Sequence, residues 1–205
     1  RLRDRVEGDL ALTGMPLVKS VSIVIKLMDI FHIRIGSDEY AKQNESYGLT
    51  TLKEGHVKYI KGEGAEGKID AVLNFTGKSG KQWRLLIEDD EMASMIEASG
   101  KVGGKKKSQD LFRYIDDHGN DYDVKAEHIN NYIEEALEVR YTAKAFRTWS
   151  ASWKTGARLA LVATASENLI AKIPKLTKKE MARVEDTEEE PIIIWRNTQL
   201  KRPEA

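Results

Sequence analysis

Behind Pro16, apolar residues recur at Leu17, Val21, Val24, Ile25, Met28 and Phe31. This is the three-and-four spacing of one helix face, and a proline just ahead of it suits a helix start. The spacing predicts an amphipathic helix running to about Gly36, with Arg34 near its C-terminal end. A short polar helix is expected over 38–44, and 47–52 reads as extended. The period then changes. Residues 57–60, 69–75 and 82–87 are rich in β-branched and aromatic side chains and are separated by glycine turns, which describes a small antiparallel meander whose second turn is 76–80. Helical spacing returns over 89–98. A glycine-flanked loop carrying Lys105, Lys106 and Lys107 leads into 111–115. A helix over about 125–138 would bury Ile129, Tyr132, Ile133 and Leu137. Thr142 can cap a longer helix with Phe146, Trp149, Trp153, Ala157 and Ala160 on its apolar side, and Lys144 and Arg147 on another. The stretch from Lys172 is charged, with Glu188, Glu189 and Glu190 ahead of Pro191 and the apolar run 192–195, and the pattern assigns it no element.

The expected fold class is therefore α+β: a predominantly helical domain with a small antiparallel β meander. The 205 residues, 40% of them hydrophobic, suffice for one substantial core. One domain over 1–205 is expected, with about 172–205 as a charged region. Lys+Arg and Asp+Glu each total 33, so any basic surface must be local. The absence of cysteine excludes disulfides and thiolate metal sites, and His32, His56, His118 and His128 show no ligand spacing. The longest apolar stretch, 17–35, is interrupted by Lys19, Lys26, Asp29, His32 and Arg34, which suits a core helix and not a membrane span. A reducing, intracellular setting is expected from the lack of cysteine. The chain starts on Arg1 and stops at Ala205 just after a proline, so both ends read as cut.

Three motif matches fail on context. Residues 62–67 carry the G-x-G-x-x-G spacing of a dinucleotide loop, but a strand pattern follows where a phosphate-binding helix is required, and Glu63 and Glu66 would repel a pyrophosphate. They read as a hairpin turn. Gly77-Lys78-Ser79 resembles the end of a P-loop, yet the first glycine of that motif should stand where Val72 is. Asn44 and Asn74 satisfy the glycosylation tripeptide without any secretory signal to give it meaning.

The cations offer more. Arg34, Lys78 in its hairpin turn, and Lys144 with Arg147 on one helix come from separate elements and could converge on a phosphodiester. Arginine suits this because its planar fork donates two hydrogen bonds and stays charged, whereas a lysine crowded by cations can release a proton to a leaving alkoxide. Each also has a plain structural use, as a helix-dipole partner, a solvated turn residue or a wetted helix face.

The run 33–52, Ile-Arg-Ile-Gly-Ser-Asp-Glu-Tyr-Ala-Lys-Gln-Asn-Glu-Ser-Tyr-Gly-Leu-Thr-Thr-Leu, resembles the signature segment of bacterial and poxviral type IB DNA topoisomerases. The same family has a β-hairpin with Phe-x-Gly-Lys, here Phe75 to Lys78, and a later Thr-Ala-Lys-x-Phe-Arg-Thr-Trp, here Thr142 to Trp149, in the same order. The resemblance implies a cofactor-free, metal-free phosphoryl transfer on double-stranded DNA by a monomer in the cytoplasm, nucleoid-associated if the source is bacterial. It also implies that residues 1–12 are the tail of a connecting helix and that about 172–205 is a family-variable region. A tyrosine attacks the phosphate, leaving a 3′-phosphotyrosyl link and a free 5′-hydroxyl, and religation follows after the duplex swivels. Carried over by position, Arg34 and Arg147 would hold the non-bridging oxygens and Lys78 would be the general acid for the 5′-oxygen. Tyr40 and Lys144 would help bind the phosphate. Lysine at 144 stands where tyrosine recombinases usually have the histidine of His-x-x-Arg, which favours relaxation over recombination.

The chain departs from the family pattern after Arg147. All seven tyrosines precede that residue, and no Gly-Asn-Thr-Pro or Gly-His-Thr-Pro segment follows it. The expectation is a chain that binds DNA without cleaving it. A recombinase catalytic domain and a non-catalytic DNA-binding domain are the alternatives.

Overall fold

The computed structural model describes residues 1–61, 68–104, 106–164 and 192–195, with 160–164 and 192–195 described by backbone alone. The architecture is α+β. Helix α1 (Leu2–Leu10) precedes α2 (Leu17–Phe31), which forms the centre of the core. Ile23, Val24, Leu27 and Met28 are completely buried, and so are Ser20 and Ser22. A helix hydrophobic on nearly all sides must be covered on all of them. It is flanked by α1, α4 (Asp90–Gly100), β4 (Arg113–Ile115) and α5 (Ala126–Leu137). The two buried serines are satisfied: Ser20 donates to the Arg113 carbonyl at 2.7 Å, and Ser22 bonds the Tyr132 hydroxyl at 3.2 Å. Tyr132 in turn donates to Asp9 on α1 at 2.6 Å, tying three helices through one polar chain.

The meander forms as its alternation dictates. Strands β1 (Val57–Lys61), β2 (Ile69–Thr76) and β3 (Gln82–Ile87) pair antiparallel in order. Ala71, Leu73, Phe75, Leu85 and Ile87 occupy the buried face under α4, while Asn74 and Arg84 point to solvent. Asp89 caps α4 by accepting the Met92 N–H at 2.8 Å. Strand β4 pairs with β5 (Asp121–Asp123), a small ribbon that the sequence pattern does not foretell. Arg113 holds it by donating to Asp123 at 2.8 Å and to Asp121. Strand β6 (Ile192–Trp195) lies parallel to β3, in the charged region left without an element, and places Ile192 opposite Arg84. The hairpin reading of 62–67, and the rest of 172–205, fall outside the described residues.

Two sequence expectations need correction. Helix α2 stops at Phe31 because His32 adopts a left-handed conformation (φ 55°) and returns its N–H to the Met28 carbonyl at 2.9 Å. Arg34 consequently lies on an extended link beyond the helix, not at its C-terminal end. Residues 47–52 are not wholly extended, since Leu49–Thr51 forms one 3₁₀ turn closed by the Thr51 hydroxyl, which bonds the backbone of Gly48. Helix α6 (Lys144–Thr164) buries its apolar side unevenly: Phe146 packs against the core and Trp153 is half-buried, while Trp149 is 63% exposed and Ala157 is exposed. Ala143, just ahead of the helix, and Ser150 are buried. The short helix α3 (Asp38–Asn44) has the expected bounds and buries no side chain.

Candidate active site

The link that carries Arg34 is fixed on both sides by backbone. The Arg34 carbonyl accepts from Leu49 N–H at 3.0 Å, and the Ile35 carbonyl accepts from Thr50 N–H at 2.7 Å and from the Thr50 hydroxyl at 2.9 Å. The two segments touch so closely that a Cβ on Gly48 would come within 2.7 Å of the Arg34 carbonyl oxygen. Gly36 sits at φ +108°, which glycine tolerates and other residues do not. Tyr47 N–H then donates to the Thr76 carbonyl at 2.8 Å, docking the Arg34 link against the end of β2.

From that end Lys78 is projected by a tight turn. Gly77 N–H donates to the Lys81 carbonyl at 2.7 Å, and Ser79 (φ 64°) and Gly80 (φ 74°) are both left-handed. Trp83 backs the turn, stacked on its cross-strand neighbour Phe75 at 6.4 Å between ring centroids. The Lys78 ammonium sits 5.5 Å from the Tyr40 ring centroid and that of Lys81 sits 5.4 Å from the Trp83 ring, contacts that orient a cation without neutralising it.

Arg34, Lys78, Lys81 and Arg147 line one cleft of about 290 Å³, together with His32 and Tyr47. A second hollow of about 230 Å³ adjoins it through Arg34, Tyr47 and Lys78, and includes Tyr40. Among the described residues no carboxylate lines either one. Among the described residues, Arg34, Lys78 and Arg147 have no ion-pair partner. Partial burial and then the charge of Arg34 hold the Arg147 guanidinium below its ordinary pKa, which remains far too high for it to lose its proton near neutrality. Uncompensated cations held together in this way form a site prepared for an anion.

Tyr40, Arg34, Lys78 and Arg147 are thus gathered around two adjoining hollows. Lys144 is exposed on the first turn of α6, three residues from Arg147, and does not line either hollow. Lys106 and Lys107 are exposed in their loop, and Lys105 lies outside the described residues. His32 and Lys81 line the cleft although neither was singled out from the sequence. Lys81 could have been found from its place in the same turn as Lys78. His32 had no such signal, because its position follows from the left-handed helix end. Its Nδ1 is buried and, among the described residues, has no hydrogen-bond partner. Burial first, then the charge of Lys154, with Arg147 adding to it, push the His32 pKa down, against the opposing pull of Asp29 and the Met28 carbonyl. Among the described residues no group of three or more His, Asp or Glu side chains is placed to hold a metal ion.

Comparison with known proteins gives the same direction. Residues 1–187 match the family described as eukaryotic DNA topoisomerase I, catalytic core. The chain is 33% identical over 136 residues to "DNA topoisomerase 1B" of Acanthamoeba polyphaga mimivirus, a match covering 64% of this chain and 37% of that protein. It is 27% identical over 135 residues to "DNA topoisomerase 1 beta" of Arabidopsis thaliana, covering 65% of this chain and 13% of that protein. The chain therefore spans a minor part of the length of these relatives. With the family match covering most of its residues and the cation-lined cleft built from the segments that carry the family motifs, the chain belongs to the type IB DNA topoisomerases.

Proposed function

We propose that the cleft holds the scissile phosphate of duplex DNA for metal-free, cofactor-free strand transfer, with Arg34, Lys78 and Arg147 as its catalytic groups. The observation that carries this reading is the meeting of those three cations, from segments far apart in the chain, in a cleft lined by no carboxylate of the described residues. Arg34 and Arg147 would bind the non-bridging oxygens and stabilise the charge that grows on them as the phosphorus becomes pentavalent. A tyrosine oxygen, which the family pattern places after Arg147, would form the bond to phosphorus as the P–O5′ bond breaks. Lys78, projected on its turn, would pass a proton to the departing 5′-oxygen, leaving a 5′-hydroxyl and a 3′-phosphotyrosine. Tyr40 would steady Lys78 and the phosphate from the adjoining hollow, and Lys144 would hold DNA from the mouth of the site. A single chain contains the whole cradle, which suits a monomer, and 172–205 would be a variable segment appended to it.

The 205 residues hold no tyrosine beyond Arg147, so this chain should bind duplex DNA and leave a supercoiled plasmid supercoiled. Fluorescence anisotropy with a labelled duplex checks the first half: affinity should fall steeply with added salt, and Arg34→Ala with Arg147→Ala should weaken it by about tenfold or more, in line with the loss of two charge-assisted contacts. Relaxation of plasmid by this chain alone, or an affinity indifferent to salt, would overturn the reading.

A further inference from the structure

Helix α6 contains Lys144, Arg147, Lys154 and Arg158 and no acidic residue in its 21 positions, in a chain whose charges balance only when these four are counted. At about 100° per residue these four cations fall within about 80° of one another, a single stripe with spacings that keep returning to one face. The stripe is about 21 Å long from Lys144 to Arg158, at about 1.5 Å per residue. All four residues are exposed, and among the described residues none has an ion-pair partner. The stripe is continuous with the cleft: Arg147 lines it, and the charge of Lys154 is felt at His32 on its wall more strongly than that of Arg147.

We infer that this stripe is a second DNA-backbone track, in which Lys154 and Arg158 take phosphates flanking the one held in the cleft. The inference rests on the reading that the cleft takes a DNA phosphodiester. A strand of duplex DNA advances about 3.4 Å along the axis per phosphate, so a stripe of this length can follow several successive phosphates. An ordinary solvated helix face alternates signs to form pairs along itself, whereas this one repeats a single sign, which is unfavourable unless a polyanion lies against it. The contacts would be to phosphates, adding affinity and strand direction without base preference.

The test uses the full chain and a pair of duplexes, one only long enough to fill the cleft and one extended on both sides. Lys154→Ala with Arg158→Ala should lose about tenfold in affinity for the long duplex, with a salt slope shallower by about two and little change on the short one. Lys154→Gln with Arg158→Gln should behave alike, and unchanged thermal melting will show both pairs folded. Unaltered affinity and slope in the paired variants, while the parent chain binds both duplexes, overturns the track and leaves the cleft reading standing. Failure of the parent chain to bind either duplex overturns both. Binding of poly-glutamate as tight as binding of the long duplex, with the same loss in the variants, would also overturn the assignment to DNA.

Discussion

At the residue scale the site depends on side chains that are absent as much as on those present. Gly48 needs no left-handed backbone, yet any Cβ there would strike the Arg34 link. Gly48→Ala should therefore cost about 1–3 kcal/mol, the usual penalty for forcing atoms into filled space, and lower the melting temperature by about 2–4 °C per kcal/mol. Gly8, on α1 with nothing within 4 Å of its added Cβ, supplies the opposite sign: Gly8→Ala should stabilise by about 0.5–1 kcal/mol in the same melting experiment. His32 makes its contribution through protons. Its pKa is depressed in the folded chain, so the unfolded chain binds more protons between the two values, and stability must fall as pH drops through about 6.5, the unfolded value, toward the lower folded one. His56, depressed by burial and then by Lys53, acts in the same sense. Replacing His32 by asparagine, which tolerates the left-handed conformation, should flatten but not abolish the loss in denaturant stability between about pH 7.5 and about pH 5.5. An equally steep loss in His32→Asn would show that the imidazole is not responsible.

At the scale of elements, the correspondence between pattern and structure is closest where burial and period agree. The three meander strands, α3 and α5 take almost the bounds that alternation and helical spacing require. Helix α6 is the instructive contrast, because its apolar residues share helical spacing but not burial: Phe146 packs against the core while Trp149 is exposed. Trp149→Ala should shift unfolding free energy by no more than about 0.5 kcal/mol, as an exposed position does. Phe146→Ala, one turn away on the side packed against the core, should cost about 1–3 kcal/mol, less than a fully buried phenylalanine would. Chemical denaturation of the two variants side by side measures the contrast. Equal losses would mean that the outer face of α6 is covered after all.

Across the whole molecule, a neutral chain acquires a cationic site by placement and not by excess charge. The sequence by itself determined the α+β class, the helix that must be buried, the meander and its turn, and the motifs that single out Arg34, Lys78, Arg147, Tyr40 and Lys144, because local period, turn chemistry and family pattern are all written in consecutive residues. Tertiary structure alone decided which of those cations share a cleft, that Lys144 stands outside it, and that His32 and Lys81 line it. It also decided that α2 ends early enough to free Arg34 from the helix, and that no carboxylate of the described residues lines the cleft. The physical reason is that charges meet through the packing of distant backbone segments, here the Arg34 link docked on the end of β2, and no local pattern records which segments will touch.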